Sequence, residues 1–261
     1  MDVIPARTFG AALLHARTGG RPVERVAYVL GVVLLASGLV HLGVLLVTGA
    51  TWFGPVSMRK PMTFGLSFGL TLATVAWVTS LLTMGLRTRT VLLGVFSAVS
   101  VVETALVTMQ AWRGVPSHVN FETPFDTGVS MALAGGGGVI IVTVLAFATA
   151  ALRGAGGLAP SMRLAVRSGF ALLVVGLAVG AVMIATGVGE ARSGDPLLAY
   201  STLGTLKPVH GVALHAVLVL PAIAWLLGAL DWSERRRVRV MRSAVVGYAL
   251  LVAVTGAVSV L

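Results

Sequence analysis

The sequence predicts an all-α fold: a polytopic membrane helical bundle of seven transmembrane helices, N-terminus in and C-terminus out. Three observations predict it. The chain of 261 residues is 57% hydrophobic and only 11% charged, with a mean hydropathy of +0.96. Soluble domains carry about 25% charged residues, so this chain has too few polar groups to cover a water-facing globule. Seven stretches reach the roughly 20 apolar residues needed to cross about 30 Å of hydrocarbon. The basic residues gather on alternate loops, as orientation in a membrane requires. This composition excludes a soluble enzyme, a disordered tail and a nucleic-acid module. The chain has no cysteine, which removes disulfides, thiolate metal sites, iron–sulfur clusters and thiol nucleophiles.

In order, the spans run over Val26–Gly49, Met62–Gly85, Thr90–Trp112, Thr127–Leu152, Leu164–Gly187, Val209–Leu230 and Val240–Leu261. Residues 1–25 form a cytoplasmic segment ahead of the transmembrane domain, residues 26–261, and hold no long apolar run of the signal-peptide kind. With the N-terminus inside, Arg7, Arg17, Arg21, Arg25, Arg87, Arg89, Arg153, Arg163, Arg167, Arg235, Arg236, Arg237, Arg239 and Arg242 fall on the cytoplasmic side. They are 14 of the 19 basic residues. The net charge of +10 is therefore a topology signal rather than a nucleic-acid footprint. The expected location is the cell inner (cytoplasmic) membrane, with Arg235–Arg239 anchored near anionic headgroups.

The inner loops are short and basic. The outer loops, Thr51–Pro61, Arg113–Asp126 and Glu190–Pro208, are longer and mix aromatics, prolines and paired polar residues. They form either a lid over the bundle or the mouth of a site. Ionisable groups inside spans are expensive and carry more information. At 1.5 Å per residue, His41, Glu103 and His215 each lie roughly 10–14 Å below the outer surface, on three different helices. His210 and His118 lie higher. Gln110 follows Glu103 by seven positions and shares its face of span 3. His210 and His215 stand about 140° apart around span 6, so one helix does not offer both to a small ion.

Span 4 carries Gly135, Gly136, Gly137 and Gly138 in succession. Small residues allow close helix packing, but four in a row clear a whole turn, which also suits a flat or bulky ligand against the backbone. The chain's two lysines, Lys60 and Lys207, are each followed by proline at the outer start of a span. There a lysine either snorkels to the interface or, with the helix N-terminus, forms an anion site. The matching order of span, outer loop, Lys-Pro and span points to spans 1–3 and 5–7 as a parallel repeat.

Three chemistries fit these residues. The first is an outer-leaflet haem b or transition-metal centre, making the protein a membrane oxidoreductase or electron-transfer protein. Here His41 and His215 are ligands, with His210 as a further candidate. The glycine turn makes room for the ring, and Arg59, Lys60, Arg113 or Lys207 pairs with propionates at the surface. The second keeps the donors but holds zinc with an open position for water, giving a hydrolase that acts on a lipid entering sideways. The third has no metal: a proton-coupled transporter or small-molecule-binding protein lined by His, Glu and Gln. Glu103, Gln110, His118 and Asp126 are the candidate reactive groups, with Asp126 also suited to cap span 4. The expected partners are the bilayer and a lipid or quinone-like small molecule. The last span has no lysine, so it offers no retinal Schiff-base linkage.

Three segments, RKPMTFGLSFGL at 59–70, QAWRGVPSHVNFETPFD at 110–126 and LKPVHGVALHAVLVLP at 206–221, together resemble a widespread group of bacterial seven-span membrane proteins. The resemblance implies that Lys60, Arg113, Ser117, His118, Asn120, Asp126, His210 and His215 belong to the group's pattern. Leu218 departs from it, standing where the group carries glutamine. The resemblance implies no activity.

Overall fold

The computed structural model describes residues 20–49, 51–194 and 204–260. Most of the expected N-terminal segment and the centre of the third long loop lie outside these residues. Among the described residues, seven helices are long and apolar enough to cross a membrane. They are α1 (Pro22–Thr48), α2 (Arg59–Ser80), α3 (Leu86–Trp112), α4 (Pro124–Gly154), α5 (Pro160–Arg192), α6 (Lys207–Gly228) and α7 (Glu234–Val260). The sequence predicts all seven, but most begin a few residues earlier than their apolar runs. Proline explains much of this. It occupies the first turn of α1, α4, α5 and α6, where its fixed φ suits the helix and its missing N–H has no partner to lose.

The second span ends at Ser80 rather than at Gly85. Arg89, from α3, is fully buried and explains the early stop. Its guanidinium donates to the carbonyl of Thr79 and to that of Leu82 at 2.8 Å, satisfying carbonyls that a helix C-terminus leaves open. Arg237 of α7 does the same to the end of α6, donating to Leu230 at 2.7 Å and Gly228 at 3.3 Å.

These matching caps reflect the build of the bundle. Helices α1, α2 and α3 pack on one another, as do α5, α6 and α7. Helix α4 lies between α3 and α5 and touches both, and α2 meets α6. In each half the closest pair meets through glycine. A Cβ on Gly65 would lie 2.6 Å from the backbone nitrogen of Gly38, and one on Gly69 2.6 Å from the carbonyl of Gly31. In the other half, Cβ atoms on Gly169 and Gly176 would lie 3.0 Å from the backbone of α6. Helix contact in lipid depends on this close approach, since lipid tails supply no hydrophobic drive between helices. Phe96, Phe147 and Phe170, from α3, α4 and α5, form a buried aromatic row with centroids 6.4 and 6.5 Å apart. Val47, Leu46, Val142 and Val258 project outward from the bundle, as side chains facing hydrocarbon would. One end of the bundle holds the ends of α1, α3 and α5 and the described loop 113–123, and the other the short turns 81–85, 155–159 and 229–233, flanked by arginines on the adjoining helix ends.

Candidate functional site

At the long-loop end, α3 and α4 are fastened by one polar network. Gln110 Nε2 donates to Asp126 Oδ1 at 2.9 Å. Arg113 Nη1 reaches the same oxygen at 2.6 Å and also donates to Gln110 Oε1. The other Asp126 oxygen accepts from the Thr123 hydroxyl at 2.6 Å, and the Asp126 amide donates back to that hydroxyl at 3.1 Å. Thr123 is thereby the N-cap of α4. Gln110 and Asp126 are buried, with each other and Arg113 as partners. Three expected site residues therefore form a structural clamp.

The loop between them is ordered by Asn120 and Ser130. The Asn120 amide donates to Ser130 Oγ at 3.0 Å, and its side chain donates to the Pro116 carbonyl at 3.2 Å. Val119 takes φ 51°, a left-handed conformation rare for a β-branched residue. It is held there by burial against Phe121, Met183, Val188 and Ala191. His118 is thereby turned into the bundle. Its Nδ1 lies 3.0 Å from Ser117 Oγ, and its ring packs on Phe64 of α2 with centroids 5.7 Å apart. It lines a cleft with Met131 and Ala134 of α4 and Ile184 and Val188 of α5. Burial, and then the ammonium groups of Lys60 and Lys207, hold its pKa well below the ordinary histidine value. Ser117 and Lys60 line a second cleft with Ser57 and Val107.

The two lysines therefore act on one histidine from the two halves. Lys60 opens α2 and Lys207 opens α6, and each lies within electrostatic reach of the His118 ring. Lys60 also senses Lys207 and Arg59 directly. Among the described residues, neither lysine makes an ion pair.

The three groups expected at a common depth do not converge. His41 of α1 places Nδ1 2.7 Å from the Ser37 carbonyl. A carbonyl only accepts, so Nδ1 carries the proton and Nε2 accepts the Trp112 indole N–H at 3.1 Å. Both ring nitrogens are engaged within the first half. His215 belongs to α6, whose main neighbours are α5, α7 and α2, and its Nδ1 donates to Gly211 at 2.6 Å. His210 turns to α5, donating from Nδ1 to Gly176 at 2.7 Å. A Cβ on Gly180 would fall 2.7 Å from its Cε1. Among the described residues, no three His, Asp or Glu side chains form a group that could hold a metal ion. Spacing along a helix gives height; it does not give the neighbours.

Glu103 points the other way, into the seam with α4. It is 4% exposed, and its carboxyl lies on the bare Cα of Gly136, where a Cβ would fall 3.1 Å from Glu103 Cδ. Gly135, Gly137 and Gly138 meet no neighbouring side chain. The four-glycine turn thus makes room at one position, for Glu103.

Sequence reasoning missed Glu24. It is buried and joins Arg21 at 2.9 Å and Arg89 at 3.3 Å. Arg89 counts among the basic residues of an inner loop in the sequence, yet it is a buried tie between α1, α2 and α3. One signal was available: Glu24 stands between Arg21 and Arg25 at the edge of the first apolar run, where a carboxylate entering a membrane needs a cation.

Fold and polar placement define an integral, multi-pass membrane protein made of two three-helix halves around a linking helix. No protein-family model, curated protein or solved structure matches the chain.

Proposed function

We propose that the protein binds a small anionic solute at the long-loop end and moves it across the membrane. One observation carries this reading: Lys60 and Lys207, equivalent first-turn residues of the two halves, converge on neutral His118 without an acidic partner among the described residues. Clustered ammonium groups repel each other, and an anion relieves that cost. The N-termini of α2 and α6 add their partial positive charge at the same point. Substrate sites of repeat-built transporters lie where the halves meet, as α2 and α6 do here. A haem or metal centre on His41 and His215 is less well supported, because His41 has no free nitrogen and the two belong to separate halves.

The test uses the purified full chain and three probes: inorganic phosphate, acetate and citrate. At least one is expected to raise the thermal midpoint saturably above chloride of equal ionic strength, and Lys60→Gln with Lys207→Gln should abolish the shift. Uptake of the same probe by reconstituted vesicles should fall with it. No shift from any probe would remove the reading.

A further inference from the structure

Glu103 lies about 14 Å along α3 from the helix end at Trp112, at 1.5 Å per residue. It is buried, and no hydrogen bond or ion pair reaches its carboxyl from the described residues. Three hydroxyls on the same stretch of α3 are already used, and the buried hydroxyl of Thr108 bonds to no group, Glu103 included. Ser97 donates to Leu93, Ser100 to Phe96 and Thr104 to Ser100, at 2.7–2.9 Å. Across the seam, Thr143 donates to Val139 at 2.7 Å.

The elements packed on α3 are α1, α2 and α4. Their titratable groups lie elsewhere or are committed. His41 is bonded at both nitrogens, Glu24 pairs with Arg21 and Arg89, and Asp126 pairs with Arg113. Arg59 and Lys60 stand at the first turn of α2, and Arg153 in the last turn of α4. Gly136 leaves a space that the carboxyl fills, so the site is shaped for this group.

We propose that Glu103, seated against Gly136 in the α3–α4 seam, is a proton-binding site in the membrane interior. An unpaired carboxylate removed from water is costly, and a proton is the smallest ligand that relieves the cost. Loading joins H⁺ to a carboxylate oxygen, and unloading returns it to water. The inference is independent of the anion site: a proton occupies this seam whether or not Lys60 binds a solute.

Difference infrared spectra of the full chain in lipid, recorded on stepping pH, test it against Glu103→Gln. The expected result is a carboxylic-acid C=O band in the wild type that disappears as pH rises and is missing from the variant. A Glu103 carboxylate band present throughout the pH range would overturn the proposal, as would the absence of any titrating band that the variant removes. Should Glu103→Gln fail to fold, labelling of the wild type with dicyclohexylcarbodiimide decides, because this apolar reagent attacks protonated carboxyls. An adduct mapped to Glu103, and not formed by a water-soluble carbodiimide, supports the site. No adduct, or equal labelling by both reagents, overturns it.

Discussion

Trp112 donates its indole N–H to His41 Nε2 at 3.1 Å, tying the last turn of α3 to the buried face of α1. With Nδ1 bonded to Ser37, the imidazole is held in one tautomer. His41→Phe should keep the ring volume and lose the bond. The expected cost is about 1 kcal/mol, read as a lowered thermal midpoint in detergent. Trp112, already 60% exposed, should show a changed emission maximum. An unaltered midpoint and spectrum would refute the tie.

Arg89 holds three things together: the Glu24 carboxylate and the carbonyls of Thr79 and Leu82. Arg89→Met should destabilise the protein by about 3–5 kcal/mol, since removing one partner leaves buried polar groups without compensation. Glu24→Gln combined with Arg89→Met should cost less than Arg89→Met alone. Denaturant titration of the two variants separates the pair's contribution from the cap's.

Glycines divide by what they face. Gly65→Ala pushes a methyl into the backbone of Gly38 and should cost about 1–3 kcal/mol by forcing α1 and α2 apart. Gly135→Ala and Gly138→Ala meet open space and should leave stability unchanged or raise it by up to about 1 kcal/mol, because alanine suits a helix interior better than glycine. Thermal midpoints of the three variants give the ranking.

His118 predicts a pH dependence. Its folded pKa lies well below the ordinary value, while an unfolded histidine titrates near 6.5. The unfolded chain therefore binds the proton first, and this contribution to stability is lost as pH falls below about 6.5. His118→Asn should flatten the thermal midpoint between about pH 7 and 5 relative to the wild type. Lys60→Met removes one of the two nearby ammonium groups and should raise the His118 pKa, as followed by imidazole NMR.

Much of the architecture is legible in the sequence because membrane spans declare themselves by length and hydropathy. Lys60-Pro61 and Lys207-Pro208 also mark equivalent starts in two halves that pack alike. The candidate site is less legible. His41, Glu103 and His215 share a height, yet rotation about each helix sends them to Trp112, to Gly136 and to the second half. Arg89 counts with the loop arginines until its partners appear: one carbonyl in the last turn of α2, one just beyond it, and a carboxylate on α1. His118 is visible in the sequence, but the lysines that gather round it come from distant segments.

Helix α4 decides more than packing. Every crossing reverses the direction of the chain, so three crossings alone would leave the second trio upside down relative to the first. The fourth crossing restores parity, and α1 and α5 set out from the same face. A chain spliced to omit residues 124–154 would have to insert Glu234–Val260 inverted. Its run of arginines would then lie on the opposite side from Arg21 and Arg25, in conflict with the charge bias that orients the protein.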